Sequence, residues 1–218
     1  MSALPPNLRA RILEAASREP SPTRAVRSRS AFLASLAAAS ASLGLSLALG
    51  GPTAKRRAAV VALAGVGAGL AALVATWLAA GRGSSMLGRS RGTLVSVSIA
   101  APIALLAWSL VASGMDPSAP AAGETWVSHG VCFVFTLLFA AAPVAALAYV
   151  RRGSDPVHPR ALGAALGGAA GTWGGMLIDV HCAFTSPLHL TLGHAAPIAL
   201  LAALGALFGA RILGLRAK

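Results

Sequence analysis

The stretch DVHCAFTSPLHLTLGH, residues 179–194, gathers an acid, three of the chain's five histidines and one of its two cysteines, between flanks that are almost purely Ala, Leu and Gly. The other cysteine, Cys132, lies three positions after His129 in HGVC. Positions three apart share a helix face, so His129 and Cys132 present an imidazole and a thiol together. His181 and Cys182 are adjacent and point different ways. Three chemistries are open to these residues. Cys132 and Cys182 can form a disulfide or a thiol pair suited to an oxidising compartment. A metal or haem site can take two ligands from His129 and Cys132 and complete four from His181, Cys182 or His194. Or the thiols pack as small apolar groups while the histidines and Asp179 make interfacial hydrogen bonds. Asp179 can back a histidine as an outer partner or point to water. No C-x-x-C or H-E-x-x-H spacing occurs, so no metal ligand and no cofactor is assigned. His158 stands alone in DPVHPR, a turn by its two prolines, and no catalytic residue is assigned.

The elements that position these residues are set by composition. Of 218 residues, 56% are hydrophobic and only 11% charged, with a mean hydropathy of +0.73. Soluble domains carry about 25% charged residues, so this chain has too few charges to cover a surface facing water. Its apolar area calls for lipid. Uncharged runs at about 31–50, 58–80, 93–113, 126–150, 161–183 and 190–210 each approach the roughly 20 residues that cross a bilayer as a helix. The expected fold is all-α: a polytopic membrane protein with six transmembrane helices over 31–213, short loops, and a short N-terminal tail over 1–30. Short loops predict that consecutive helices are antiparallel neighbours. Gly163, Gly167, Gly171 and Gly175 recur every four residues and predict a close-packing face. Buried mid-depth charges, which mark ion and substrate paths, are missing, and that argues against a transporter or channel.

The net charge is +12, from 18 basic and 6 acidic residues. The basic residues fall in short clusters between apolar runs, and aromatics make up 5%, too sparse for base stacking. The lipid bilayer, not nucleic acid, is the expected partner of this charge. With both termini in the cytoplasm, fifteen Lys and Arg lie inside and three outside, as cytoplasmic loops prefer. The exception is Lys55, Arg56 and Arg57 in the first loop. This orientation predicts a bacterial inner-membrane protein with Cys132 about 9 Å below the outer start of its span and Cys182 near the outer surface.

The tail reads LPPNLRARILEAASREPSPTRAVRSRS. Asn7 is a good N-cap and Pro20 and Pro22 end the segment, so Leu8–Glu19 reads as one short amphipathic helix. Leu8, Ile12, Ala15 and Ala16 line one side, with Leu13 at its edge. A helix this short is marginal alone and needs a partner groove or the lipid headgroups.

LRARILEAASREPSPTR ahead of six spans resembles the tail of the six-helix bacterial membrane anti-sigma factors, the "negative regulator of sigma" family. VCFVFTLLFAAAPVAALAYVRRGSDPVHPRALGAALGGAAG resembles that family's fourth span, basic loop and fifth span, with Cys132 at its first cysteine. DVHC resembles its His-Cys signature at His181 and Cys182, and the downstream SPLHLTLGHAAPIALLAALGALFGARIL its last span. Two departures are Ala183-Phe184-Thr185 where the family often carries an acid, and Leu192-Gly193-His194 where it often has aromatics. The Ala/Arg-rich composition also resembles the six-helix, light-responsive anti-sigma factors of myxobacterial carotenoid regulation. The resemblance implies a non-enzymatic anti-sigma factor whose tail binds an extracytoplasmic-function sigma factor and releases it on an envelope, light or redox signal. It implies sigma contacts at Leu8, Arg9, Arg11, Ile12 and Leu13, and redox or sensing roles for Cys132, Cys182, His129 and His181. A second copy or another membrane signalling protein is a further expected partner. The alternative is a membrane oxidoreductase or a haem- or metal-binding protein using the Cys/His cluster.

Overall fold

An apolar segment surrounded by lipid must satisfy its backbone N–H and C=O groups internally, and these segments fold as helices. A computed structural model describes residue 14 and residues 24–48, 56–81, 89–115, 124–152 and 157–214, with no strand among them. Its long helices are α1 (Arg24–Ala48), α2 (Ala58–Ala80), α3 (Arg91–Gly114), α4 (Trp126–Arg151), α5 (Pro159–His181) and α6 (Pro187–Ile212). Local signals set their starts. The Ser90 hydroxyl accepts from the Thr93 N–H at 3.2 Å, and Thr125 and Ser128 form a reciprocal capping box. Pro159 and Pro187 open α5 and α6, where an N–H is not needed.

Among the described residues, five helices, α2 to α6, are long and apolar enough to cross a membrane. α1 differs from the expected span at 31–50. It starts at Arg24, ahead of that run, and carries Arg27, Arg29 and recurrent serines. The proposed sigma contacts Leu8, Arg9, Arg11, Ile12 and Leu13 lie outside the described residues. Glu14, beside them, is helical and exposed.

α5 stands at the centre. In its most apolar window 83% of residues are buried within the protein, against 28% in each of the other four span-length helices. It packs on α2, α3, α4 and α6, while α1 lies mainly against α4. Consecutive helices are therefore not always neighbours, contrary to the expectation from short loops. α3 and α4 are separated by α5 and α6, and α1 touches α2 only lightly. Glycine explains the centre. A Cβ on Gly163 would run into the Gly205 backbone, one on Gly167 into the Leu201 backbone, and one on Gly171 would meet Ile198 at 2.9 Å. The expected glycine face is thus the seam to α6. Gly174, on another face, gives the same close approach to Thr136 and Ala140 of α4. A helix with several faces of small residues can take close neighbours all round.

The outside carries the large side chains. Val66, Leu70, Val74 and Trp77 run down α2 exposed, as do Ile99 and Ile103 on α3 and Leu207 on α6. Small residues inside and large apolar residues outside is the arrangement of a protein whose solvent is lipid. At the end holding the start of α5, Trp77 and Tyr149 lie under Arg89 and Arg152, at 5.4 and 4.3 Å from ring centroid to guanidinium. Such aromatic–basic pairs suit a membrane–water boundary.

Candidate functional site: a buried thiol–imidazole cluster

At the opposite end, α4 begins, α5 ends and α6 begins. Cys132 is on the second turn of α4, facing inward with His129. Cys182 caps the C-terminus of α5, its N–H donating to the Ile178 carbonyl at 2.8 Å. The fold brings the two buried sulfurs to 3.6 Å, and both are free thiols.

α6 adds two histidines that sequence spacing did not place together. His189 and His194 are five residues apart. An α-helix rotates about 100° per residue, which leaves such positions about 140° apart. Here Leu190–Ala195 forms a π-helical turn, whose i→i+5 bonding brings the rings to 5.4 Å between centroids. Pro197 gives this turn a local cause, since it has no N–H for the carbonyl four residues back, that of Gly193. The Thr136 hydroxyl of α4 points at that carbonyl, at 3.0 Å, and at the Cys132 carbonyl, at 2.8 Å. A Cβ on Gly193 would press on the Cys132 Cβ at 3.1 Å and His189 Nε2 at 3.4 Å, so glycine there keeps α6 close to the thiol.

Each imidazole is oriented by an outer partner. Asp179, on the last turn of α5 and fully buried, accepts from His194 Nδ1–H at 3.0 Å through Oδ1 and from the Ser109 hydroxyl at 2.8 Å through Oδ2. Of the two roles open to Asp179, the structure shows the one that backs a histidine. His189 Nδ1 shares a hydrogen bond with His129 Nδ1 at 2.9 Å and lies 3.4 Å from Glu124 Oε1. Glu124 in turn accepts from the Ser186 hydroxyl at 2.6 Å. The far nitrogens face the thiols, with His189 Nε2 3.2 Å from Cys182 Sγ. His194 Nε2 is buried without a hydrogen-bond partner.

Of the expected sensing residues, Cys132, Cys182 and His129 meet here. His181 does not. Its Nδ1–H donates back to the Leu177 carbonyl at 2.6 Å and its ring lies 5.9 Å from Phe139. Arg56, part of the exception to the charge rule, is buried at this end and donates to the Asp179 carbonyl at 3.3 Å. It sits where the C-terminal carbonyls of α5 favour a cation.

Fold and cluster together define a class: a protein helical across its described residues, with several helices long and apolar enough to cross a membrane and a buried thiol–imidazole cluster at one end. Among known proteins, the family model described as "Negative regulator of sigma F" matches residues 15–214, and the chain belongs to that family. Membership makes it a negative regulator of a sigma factor, a regulatory class and not an enzymatic one, with a sigma factor as its kind of partner. No curated protein and no solved structure matches the chain.

Proposed function

We propose that the chain is a six-span anti-sigma factor of the bacterial inner membrane. Its N-terminal tail sequesters an extracytoplasmic-function sigma factor and releases it when the Cys132/Cys182 pair changes chemical state. In this reading α1 is the first span, both termini are cytoplasmic and the cluster faces the envelope. The asymmetry of fifteen basic residues against three supports that orientation. Leu8, Ile12 and Leu13 supply an apolar ridge for the sigma factor, with Arg9 and Arg11 beside it.

The observation that carries the reading is the buried thiol pair, 3.6 Å apart, which ties α4 to the end of the central helix. Any bond made between the sulfurs, or to a third atom, shifts α4 against α5. A disulfide needs them at about 2.05 Å. Because α5 packs on most of the bundle, a shift at one end moves the other, as packed helices move in discrete steps.

The test is a reporter for sigma-dependent transcription. Leu8→Asp with Ile12→Asp leaves membrane insertion unchanged and turns the reporter on without a signal. A reporter that stays silent would refute the tail assignment. Cys132→Ser keeps the reporter silent and blocks induction, and normal induction in that variant would refute the sensing role.

A further inference from the structure

Cys132, Cys182, His189 and His194 are all buried, and their ligand atoms lie within 4.8 Å of one another. We propose that they form a closed, four-coordinate site for a divalent metal ion of the zinc class, which ties α4, the end of α5 and the start of α6 together. The inference gives an occupant to the pair on which the proposed release depends. Its test is made on the purified protein and does not need that release.

The donor set points to the metal. Two thiolates and two imidazoles in tetrahedral array are the set of structural zinc sites. With Zn–S of about 2.3 Å and Zn–N of about 2.0–2.1 Å, the tetrahedron has edges of about 3.8 Å between sulfurs and about 3.6 Å between sulfur and nitrogen. The sulfurs here are 3.6 Å apart, and Cys182 Sγ is 3.2 Å from His189 Nε2. These two edges come within a few tenths of an ångström of the tetrahedron, and all the ligand atoms lie within 4.8 Å of one another.

The nitrogens are set for it. A metal-bound histidine donates its other N–H to a carboxylate or similar acceptor, which fixes the tautomer and strengthens the ligand. His194 does so to Asp179 at 3.0 Å, and His189 has His129 at 2.9 Å and Glu124 at 3.4 Å on its Nδ1 side. With the Nδ1 of each ring protonated, both Nε2 lone pairs face the thiols. The buried His194 Nε2 has no hydrogen-bond partner, and an unsatisfied buried polar atom is rare enough to call for one. A metal supplies it. The π turn that Pro197 seats serves the same site, because it brings two histidines five apart to one side of α6. Binding displaces two thiol protons to solvent as the dication enters, so the four-ligand site carries no net charge. With four protein ligands, none is left for substrate, and the role is structural or regulatory.

The experiment is metal analysis of the full-length protein purified in mild detergent, with thiol titration, followed by reconstitution of the reduced protein with zinc or cobalt(II). The proposal expects about one metal per chain, two thiols that react only after chelation, and a cobalt spectrum of tetrahedral thiolate type. His194→Ala and His189→Ala abolish stoichiometric binding while His181→Ala keeps it. Asp179→Asn weakens affinity by about 10–100-fold, a change readable even if the ligand variants misfold. Failure of the folded, reduced protein to bind zinc or cobalt would overturn the proposal, as would unchanged binding in His194→Ala. A protein that binds no metal yet silences its sigma factor removes this site alone. One that binds metal yet no sigma factor removes the tail assignment alone.

Discussion

Gly167 and Gly168 are adjacent on α5, yet the structure gives them opposite responses to one methyl group. Alanine removes the backbone entropy that glycine loses in a helix, a gain of about 0.5–1 kcal/mol at both positions. At Gly168 the new Cβ meets Ser98 Cα at 3.5 Å and Ala101 Cβ at 3.6 Å, ordinary contacts that leave the gain intact. At Gly167 it runs into the Leu201 backbone, with Ala202 Cα at 3.2 Å. Backbone cannot rotate away, so α6 must move off the seam, an overpacking cost of about 1–3 kcal/mol. The helical gain cancels between the neighbours, so Gly167→Ala is less stable than Gly168→Ala by about 1–3 kcal/mol. At about 2–4 °C per kcal/mol for a chain of this size, the two variants melt about 2–12 °C apart. Thermal unfolding in mild detergent, followed by tryptophan fluorescence, measures the difference. Equal midpoints, or a higher one for Gly167→Ala, would refute the seam and with it the central place of α5.

Other consequences are smaller but as direct. Thr136→Val removes the hydroxyl that serves the Gly193 carbonyl and should lower stability by about 1 kcal/mol, read by the same unfolding assay; no change would mean the π turn does not depend on α4. Trp173→Phe deletes the bond from Trp173 Nε1–H to the Thr76 hydroxyl, 3.1 Å long, and the lost bond should cost about 0.6 kcal/mol, the average for polar contacts between helices in membranes, and no more than about 1.7 kcal/mol. Fusions of a periplasm-dependent phosphatase after residue 118 should be active and after residue 154 inactive, and the reverse pattern would invert the proposed orientation. Metal retention should fall as pH is lowered through the histidine range, because both imidazoles must be neutral and both thiols ionised to bind. A metal content flat down to pH 5 would exclude imidazole ligands.

The fold was legible in the sequence where one physical constraint acted alone. Long uncharged runs can only be helices in lipid, and five of them are helices of span length. Four glycines at a spacing of four announced a packing face, though not its partner. The expected first span is helical as well, as part of α1, which starts earlier, at Arg24. Cys132 with His129 followed from a spacing of three, whereas adjacency to Cys182 left open where His181 lies, and the last turn of α5 aims it at its own helix.

By itself the sequence determined the class of the protein: charge scarcity demanded lipid, apolar length demanded helices, and the two cysteines and the His-Cys motif pointed to the family whose model matches residues 15–214. Only the tertiary structure decided which residues meet. Cys132 and Cys182 are fifty residues apart, and no local rule sets their 3.6 Å separation. It results from α4 and α6 closing on the small-residue faces of α5. His189 and His194 were hidden more deeply, because helical periodicity at 3.6 residues per turn sends them to different sides. A π turn, seated by Pro197 and the Thr136 hydroxyl, reverses that placement, and such a turn is stable only when a neighbouring helix is there to receive it.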